Sequence, residues 1–472
     1  MKYLDYFKQI SAIPRESGRE QAIADYLVKF AADRGLQYYV DELYNVLIVA
    51  APSEGLESGE PIMLQSHTDM VCEKNSNVTH DFVNDGIKLV ESHGFYAADG
   101  TTLGADDGIG VAFMLAILDD NTIKHPMLEC LFTTQEEIGL VGAEKFDYSV
   151  IKARRIINLD GETEGEAIIS SAGGVRTTLF MQYETVPPIS VNKTMRIQIS
   201  GLTGGHSGAD IHLRRGNANI IMGRILNKIY ADCPCNLVLL NGGLKSNAIP
   251  RECEAIINVM DYDKTAEIIR EMEKEIRNEL TADDKKFKVT VKKSTADKVM
   301  TYKSTSTILT AIMLSLNGVV SIDKNQPDMV ESSSNLGVIR TTDRIELLYE
   351  NRSSTESMLD FICEKYDRLA YITSAEILHT NRYPGWQYNP TSELKSNYIA
   401  IYNKLFGSKP EINGIHAGIE CGLIINRLGN IGVDAISIGP NISGAHTPDE
   451  KLDIKSCEKV WNLLKELILG EN

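Results

Sequence analysis

The sequence contains no apolar stretch of about 18 residues, so an ordinary transmembrane helix is excluded. Its first residues lack a long apolar core before a small-residue cleavage site, and we therefore expect no signal peptide. The sequence has fewer basic than acidic residues, with 48 Lys and Arg against 65 Asp and Glu, and its formal net charge is −17. Such a protein is a poor partner for nucleic acids or anionic membranes. We expect a cytoplasmic protein that binds neither nucleic acid nor membrane.

Cysteine is sparse, and the eight Cys residues form no Cys-x-x-Cys pair. This spacing argues against a zinc ribbon or thioredoxin-type motif and favours reduced, mostly buried thiols. The glycine-rich segment 104–110 lacks the Gly-Lys-Ser/Thr sequence of a phosphate-binding loop. The remaining composition, with 43% hydrophobic and 24% charged residues, is that of an ordinary globular protein. A length of 472 residues suits two or three domains.

Helical and strand patterns alternate along the first third of the chain. Amphipathic or apolar helical spacing predicts helices over 20–35 and 108–119. Short apolar runs predict strands over 45–50, 62–66, 128–134 and 155–159. Alternating strands and helices favour an α/β fold with a largely parallel, buried sheet flanked by helices.

The pattern changes near residue 184, where shorter alternating strands begin to bracket helices, and it changes back after Pro384-Gly385-Trp386. The simplest organisation is a discontinuous catalytic domain over 1–186 and 385–472, interrupted by an inserted α+β lid domain over 187–384. A second similar cycle of strands and helices runs from about 304 to 375. We therefore expect the inserted domain to be duplicated.

Histidine and carboxylate side chains recur where predicted strands end or predicted helices begin. In an open α/β sheet these positions gather at the carboxyl edge, where ligands bind. Of two adjacent carboxylates, one can bind a cation while its neighbour holds a proton, as a hydrolytic metal site requires. The residues at these positions are His67, Asp69, Asp106, Asp107, Glu136, Glu137, Asp160 and His446.

Taken singly, each of these residues also suits an ordinary structural role. Asp106 could cap the helix that follows it. Asp160 could form a turn before Gly161, and His446 could lie in a plain loop. The case for a metal site depends on their joint occurrence.

Six motifs together resemble the co-catalytic zinc dipeptidase and aminoacylase family, and they spread over essentially the whole chain. Within this family, the sequence is most similar to the aminoacyl-histidine (Xaa-His) dipeptidases. This similarity rests on the segment 415–422 and on the large insertion. The motifs are Ser66-His67-Thr68-Asp69, Gly104-Ala105-Asp106-Asp107-Gly108, Gln135-Glu136-Glu137, Leu159-Asp160-Gly161, Gly204-Gly205-His206-Ser207-Gly208 and Gly444-Ala445-His446-Thr447-Pro448.

The resemblance implies two divalent metal ions per chain, with zinc expected and manganese or cobalt as alternatives. It implies that His67 and Asp160 hold one ion, that Glu137 and His446 hold the other, and that Asp106 bridges both. One His and two carboxylates per ion leave coordination positions open for water and substrate.

The resemblance also assigns catalytic roles. Glu136 is the expected general base, and Asp69 is expected to orient the His67 imidazole. His206 resembles the lid histidine that stabilises a tetrahedral oxyanion. Asp107, next to Asp106, stays open as the alternative bridging ligand.

Three further residues are predicted to contact substrate. Arg352 is the candidate for the terminal carboxylate, because a guanidinium binds a carboxylate bidentately. Asn247 lies in a segment expected to reach substrate, and Glu420 is the candidate for the substrate amino group. Glu420 could instead pair with His416 at i, i+4 spacing on a helix.

The expected activity is metal-dependent hydrolysis of unblocked dipeptides by a metal-bridged hydroxide, with Xaa-His substrates, including beta-alanyl-histidine, favoured. One alternative is an N-acyl amino acid deacylase or carboxypeptidase with the same dinuclear site. The other is a non-catalytic peptide-binding protein. A small peptide substrate is the expected partner, and homodimerisation is left open.

Overall fold

The computed structural model describes residues 1–189, 193–429 and 432–469. The chain divides into two compact units. Unit 1 comprises Met1–Ser171, Tyr388–Gly414 and Ile419–Asn472, and unit 2 comprises Ala172–Gln387 and Ile415–Gly418. Among the described helices, none combines the length and the apolar character needed to cross a membrane.

Unit 1 has seven described helices. They are α1 (Lys2–Ser11), α2 (Gln21–Asp33), α3 (Ala105–Leu118), α4 (Val141–Lys145), α9 (Glu393–Phe406), α10 (Glu420–Arg427) and α11 (Ile454–Leu469). Its described strands are β1 (Gln37–Val40), β2 (Val46–Ala50), β3 (Ile62–His67), β4 (Leu89–Ser92), β5 (Phe95–Ala98), β6 (Leu128–Thr133), β7 (Arg155–Asn158), β8 (Glu166–Ser171), β22 (Glu411–Ile415), β23 (Asp434–Ser437), β24 (Ile442–Ser443) and β25 (Lys451–Asp453).

The main sheet of unit 1 has the order β1-β2-β6-β3-β7-β23-β8-β22. The central neighbours β6, β3, β7 and β23 run parallel, while β1, β2 and β8 pair antiparallel with their neighbours. Every residue of β3 and β6 is buried, as expected for parallel strands covered on both faces. The four strands predicted in this region are confirmed as β2, β3, β6 and β7 to within one residue at each end.

Helix α3 lies inside unit 1, and all of its residues from Ala105 to Leu118 are buried. This explains why the sequence is apolar on every side of the helix. The ring of Phe113 lies 5.0 Å from that of Tyr3 in α1 and 6.1 Å from that of Trp461 in α11. Asp106 and Asp107, at the beginning of α3, are therefore attached to a fully buried helix.

Unit 2 is an α+β structure with four described helices, namely α5 (Ala218–Asp232), α6 (Tyr262–Glu279), α7 (Tyr302–Leu314) and α8 (Glu356–Thr373). Its described strands are β9 (Gly173–Met181), β10 (Thr185–Val186), β11 (Thr194–Ser200), β12 (Gly205–His206), β13 (Cys235–Gly242), β14 (Ala248–Ile249), β15 (Cys253–Val259), β16 (Lys288–Ser294), β17 (Val299–Met300), β18 (Gly318–Ile322), β19 (Val330–Thr341), β20 (Ile345–Ser353) and β21 (Glu376–Tyr383).

The large sheet of unit 2 is duplicated. Its order is β16-β11-β15-β13-β19-β20-β9-β21, with β18 added beside β19. The first half follows the chain order β11-α5-β13-β15-α6-β16, and the second half repeats it as β9-α7-β19-β20-α8-β21. The two halves meet where Gly242 of β13 pairs with Ile339 of β19. The expected duplication is thus visible in the topology, with the first half inserted after β9.

Strand β9 lies on the other side of the predicted domain boundary. The prediction places 172–186 in the catalytic domain, whereas β9 pairs with β20 and β21 in the sheet of unit 2. The compact units accordingly divide between Ser171 and Ala172, and unit 2 takes up Ile415–Gly418 from the C-terminal part of the chain.

Candidate metal centre

Three neighbouring strands of unit 1 deliver polar side chains to one edge of the sheet. His67 is the last residue of β3, Glu136 and Glu137 follow β6, and Asp160 follows β7. Because these strands are parallel and adjacent, their carboxyl ends lie together. Asp106, in the first turn of α3, joins this edge.

The carboxylate of Asp106 lies between two imidazoles. Its Oδ1 is 3.0 Å from His67 Nε2, and its Oδ2 is 3.1 Å from His446 Nε2. His67 Nε2 also lies 3.4 Å from Asp160 Oδ1, and His446 Nε2 lies 2.9 Å from Glu137 Oε1. The side chains therefore form two groups, each with one imidazole and two carboxylates, that share Asp106.

The carboxylates of this cluster favour the positively charged forms of the two imidazoles. Hydrogen bonds with Asp106 and Glu137 raise the pKa of His446 to about 11. For His67, burial opposes the charged form, but the carboxylates of Asp160 and Asp106 outweigh it and raise its pKa. Burial likewise opposes ionisation of Asp106, yet the two imidazoles hold its pKa far below the usual range.

These residues fit a divalent metal. Ligand atoms of His67, Asp106 and Glu137 lie within 4.8 Å of one another. Imidazole nitrogen with carboxylate oxygen is a donor set that zinc accepts, and manganese and cobalt also bind such sites. Metal ions would take the place of the positive charge that these carboxylates favour on the two imidazoles.

Asp107 has different partners from Asp106. It is fully buried, its Oδ1 accepts a hydrogen bond from the Gly110 amide at 3.2 Å, and burial raises its pKa to about 8. Within the described part of the chain it has no ion pair with either imidazole of the cluster. The geometry thus favours Asp106 over Asp107 as the shared ligand.

Asp69 links two parts of the centre. Its Oδ1 lies 3.4 Å from His67 Nδ1, close enough for electrostatic attraction but without hydrogen-bond geometry. It also accepts hydrogen bonds from the backbone amides of Glu136 at 3.1 Å and Glu137 at 3.2 Å, and from the Ser17 hydroxyl at 2.7 Å. Asp69 therefore holds the Glu136-Glu137 turn in addition to facing His67, a contact that the sequence did not reveal.

Glu136 is partly buried and is not part of either ligand group. Burial raises its pKa to about 8, and the carboxylates of Glu420 and Glu137 add to this effect, while His67 opposes it. A carboxylate whose pKa lies near neutrality can both accept a proton and return it.

Two buried charged residues near the centre were missed by the sequence reasoning. Arg15 and Glu450 are each 2% exposed, and both contact the backbone that carries ligands. Local patterns could not identify them, because their partners are distant in sequence. The sequence shows only that Arg15 and Glu450 lie in segments without helix or strand periodicity, and this does not distinguish them from ordinary loop residues.

In unit 2, His206 lies in the short strand β12. Its Nδ1 accepts hydrogen bonds from the backbone amides of Ala209 at 3.0 Å and Gly208 at 3.3 Å. Burial and the charge of Arg352 lower its pKa. An imidazole whose Nδ1 accepts hydrogen bonds is neutral with its proton on Nε2, which leaves Nε2–H as a donor.

Arg352 lies in β20 and is 5% exposed. Its Nη1 donates to the Tyr383 hydroxyl at 2.7 Å, whereas its Nε has no hydrogen-bond partner. Within the described residues it has no carboxylate at ion-pair distance. The neighbouring His416 is partly buried, its Nε2 lies 2.7 Å from Ser333 Oγ, and burial together with Arg352 lowers its pKa to about 3. A buried guanidinium without a counter-ion favours an incoming anion.

The remaining two predicted substrate contacts differ in exposure. Asn247 is exposed, and its backbone carbonyl accepts a hydrogen bond from the Ser207 amide at 2.9 Å, beside His206. Glu420 is fully buried in unit 1, where it accepts hydrogen bonds from Gln65 Nε2 at 2.5 Å and the Thr133 hydroxyl at 2.8 Å.

Glu420 is the first residue of α10, and His416 precedes that helix in the segment that belongs to unit 2. The alternative prediction, a helical His416–Glu420 pair, is therefore wrong. Glu420 keeps one oxygen, Oε1, without a hydrogen-bond partner. Its role toward the substrate amino group stays a prediction.

Comparison with known proteins places this centre in context. Residues 63–470 match the sequence profile of peptidase family M20/M25/M40. The chain is 36% identical over 470 residues to the cytosol non-specific dipeptidase of Escherichia coli strain K12, covering 98% of this chain and 96% of that protein. The aminoacylhistidine dipeptidase from Vibrio alginolyticus has a similar crystal structure, with a TM-score of 0.94 and 33% identity, covering 100% of this chain and 97% of that one.

A more distant solved structure shares the fold alone. The aminopeptidase PepT from Bacillus cereus ATCC 10987 matches with a TM-score of 0.57 and 16% identity, covering 99% of this chain and 97% of that one.

Proposed function

The chain belongs to peptidase family M20/M25/M40, and we propose that it is a metal-dependent dipeptidase that cleaves unblocked dipeptides, Xaa-His dipeptides above all. The observation that carries this proposal is the pair of ligand groups that share Asp106. A centre of this kind serves hydrolysis, and both full-length relatives are named dipeptidases.

We assign the site to two divalent ions, with zinc preferred. His67 and Asp160 would hold one ion, Glu137 and His446 the other, and Asp106 both. When bound, the metal would polarise the scissile carbonyl and supply hydroxide at neutral pH.

Glu136 is the residue that moves the proton in this proposal. Its carboxylate takes a proton from the attacking water and delivers it to the leaving amine. Asp69 accepts a hydrogen bond from the backbone amide of Glu136. This contact keeps the base in place during the proton transfer.

Unit 2 offers groups suited to the substrate. The neutral His206 imidazole presents Nε2–H, which suits donation to a developing oxyanion. The Arg352 guanidinium, which has no ion pair among the described residues, suits the free carboxylate of a dipeptide. We accordingly propose that unit 1 is the catalytic domain and unit 2 the inserted lid domain. We further propose that the enzyme is cytosolic. Light scattering would test whether it forms a homodimer.

The test is hydrolysis of beta-alanyl-histidine, Ala-His, Ala-Ala and N-acetyl-Ala-His, each with and without a chelator. Chelator-sensitive cleavage of the free dipeptides, fastest with C-terminal His, is the expected result. Equal rates on Ala-His and Ala-Ala would keep the dipeptidase and remove the His preference. Cleavage of the acetylated compound alone would make the protein a deacylase, and no cleavage with zinc or manganese restored would make it a peptide-binding protein.

A matched pair of variants ties the activity to the centre. His446→Ala removes a ligand, and we expect it to lose bound metal and activity together. The exposed His93, whose φ is 52°, is replaced by Asn, which tolerates that backbone conformation, as the control that keeps both.

A further inference from the structure

One buried carboxylate gathers the backbone of the loop that carries Asp106. Glu450 Oε2 accepts hydrogen bonds from the amides of Leu103 at 2.8 Å and Gly104 at 3.0 Å. Its Oε1 accepts from the amides of Ala105 at 2.8 Å and Asp106 at 3.4 Å. Four consecutive N–H groups thus point to a single side chain.

A structural reason for this arrangement is helix capping. The first amides of α3 have no partner within the helix, and negative charge is favourable at a helix N-terminus. A Ser, Asp or Asn at the cap position satisfies this need locally. Here the backbone of Asp106 and Asp107 departs from helical dihedrals, and Asp107 accepts the Gly110 amide at 3.2 Å in the manner of a local cap. The amides before this kink, from 103 to 106, are instead bound by a carboxylate from a distant segment of the chain.

That distant segment carries the other half of the metal centre. Glu450 lies four residues after His446, and its own amide donates to the Thr447 carbonyl at 3.1 Å. The Thr447 amide in turn donates to the Gly444 carbonyl at 3.2 Å, which closes the turn that contains His446. Glu450 therefore connects the turn that contains His446 to the loop that contains Asp106. His446 and Asp106 belong to the same ligand group.

Arg15 binds one carbonyl oxygen of the same loop and two carbonyl oxygens of the segment that follows β3. Its guanidinium donates to the carbonyls of Thr68 at 3.0 Å and Asp69 at 3.1 Å, and also to the carbonyl of Gly104. The residue at 104 has a φ of 67°, and a Cβ there would run into the Arg15 guanidinium. The peptide groups around Gly104 are thus held by Glu450 through N–H and by Arg15 through C=O.

We propose that Glu450, supported by Arg15, is a positioning residue that sets the separation of Asp106 and His446 and thereby the affinity of the centre for metal. This inference rests on the proposed metal-dependent function and goes beyond it, since Glu450 is neither a ligand nor a base. Groups that orient metal ligands typically change metal affinity by about 10- to 100-fold when they are removed.

The experiment compares Glu450→Gln with Glu129→Gln. Glu129 is a matched control, because it is also buried and accepts hydrogen bonds from the consecutive amides of Lys152 and Ala153, but it lies at the opposite end of β6 from the centre. Dissociation constants for Zn²⁺ and Co²⁺ are measured by competition with a chromogenic chelator, together with the visible spectrum of the Co²⁺ form. Urea unfolding of the metal-free proteins measures the loss of stability.

We expect Glu450→Gln to weaken metal binding by about 10- to 100-fold and to alter the Co²⁺ spectrum. KM for Ala-His should stay near the wild-type value at saturating metal. Glu129→Gln should lose stability and keep the metal dissociation constants. Equal metal affinities in wild type and Glu450→Gln would reduce Glu450 to a helix cap and overturn the proposal.

A second variant covers the case in which Glu450→Gln does not fold. Glu450→Asp keeps the charge but withdraws it by one methylene, and we expect an intermediate loss of metal affinity. Wild-type affinity in this folded variant, with wild-type Co²⁺ spectrum, would equally overturn the positioning role. If the wild type binds metal and cleaves no dipeptide, the proposed function fails while these affinity differences still decide the role of Glu450.

Discussion

In unit 1 the carboxylates of Asp106, Glu137 and Asp160 crowd two imidazoles, whereas in unit 2 the Arg352 guanidinium lies buried near two imidazoles and has no ion pair among the described residues. One cluster has an excess of negative charge and the other an excess of positive charge. Each excess is costly in a buried site unless a ligand of opposite sign offsets it.

The same side chain behaves differently in the two clusters. The pKa of His446, surrounded by carboxylates, is raised to about 11, while burial and Arg352 lower that of His416 to about 3. The comparison teaches that the two clusters are prepared for opposite ligands. The first suits cations such as divalent metal, and the second suits anions such as a peptide carboxylate or an oxyanion.

The sharpest test of the negative cluster separates its base from its metal ligands. Glu136→Gln should lower kcat by about 10²- to 10⁴-fold, because general base catalysis contributes that much. Metal content should not change, since Glu136 belongs to neither ligand group. Steady-state kinetics with elemental analysis of the purified variant checks both statements. Near-normal turnover would remove Glu136 from the base role.

The positive cluster should affect the transition state through His206. We expect His206→Ala to lower kcat by about 10²- to 10³-fold, the effect of removing one oxyanion donor. His212→Ala, at an exposed position nearby in sequence, is the control that should retain activity. A loss confined to KM would show that His206 binds the ground state instead.

Arg352 should affect recognition of the substrate carboxylate. Arg352→Lys keeps the charge but loses the bidentate geometry, so KM for Ala-His should rise about 10-fold or more. Arg176→Lys is the control, because Arg176 already pairs with Glu350 at 3.4 Å. On Ala-His amide, which has no free carboxylate, KM should differ little between Arg352→Lys and the wild type. An equal difference on the amide would contradict this assignment.

The last test concerns stability without metal. Burial raises the pKa of Glu420 from 4.5 to about 7. The folded chelator-treated protein thus binds this proton more tightly than the unfolded chain, and the associated stability is present below pH 4.5 and is lost as the pH rises through 7. Glu420→Gln should remove about 2–3 kcal/mol of this decline, measured by urea unfolding from pH 4.5 to 8. Parallel stability curves for the two proteins would refute it.

What the sequence could reveal was local. The ends of β3, β6 and β7 could be predicted from short apolar runs, and with them the positions of His67 and Asp160. Strand periodicity and the rule that ligands gather at carboxyl edges were sufficient for this.

What the sequence could not reveal depends on partners that are far apart along the chain. Nothing near Glu450 indicates that the amides that donate to it lie at 103–106, and nothing near Arg15 points to the Gly104 carbonyl. The predicted boundary after residue 186 left the residues of β9 in the catalytic domain for the same reason, because the partners of β9, β20 and β21, follow the whole first half of unit 2.

That position of β9 has a consequence for synthesis on the ribosome. Gly173 of β9 pairs with Ser353 of β20, so this strand leaves the ribosome long before its partner exists. The first half of unit 2, from β11 to β16, emerges in between and can complete its own pairings first. Closing so long a loop costs entropy, and an unpaired strand edge invites contact with other chains. In a nascent chain, the residues of β9 therefore have neither β20 nor β21 to pair with until the second half of unit 2 has been made.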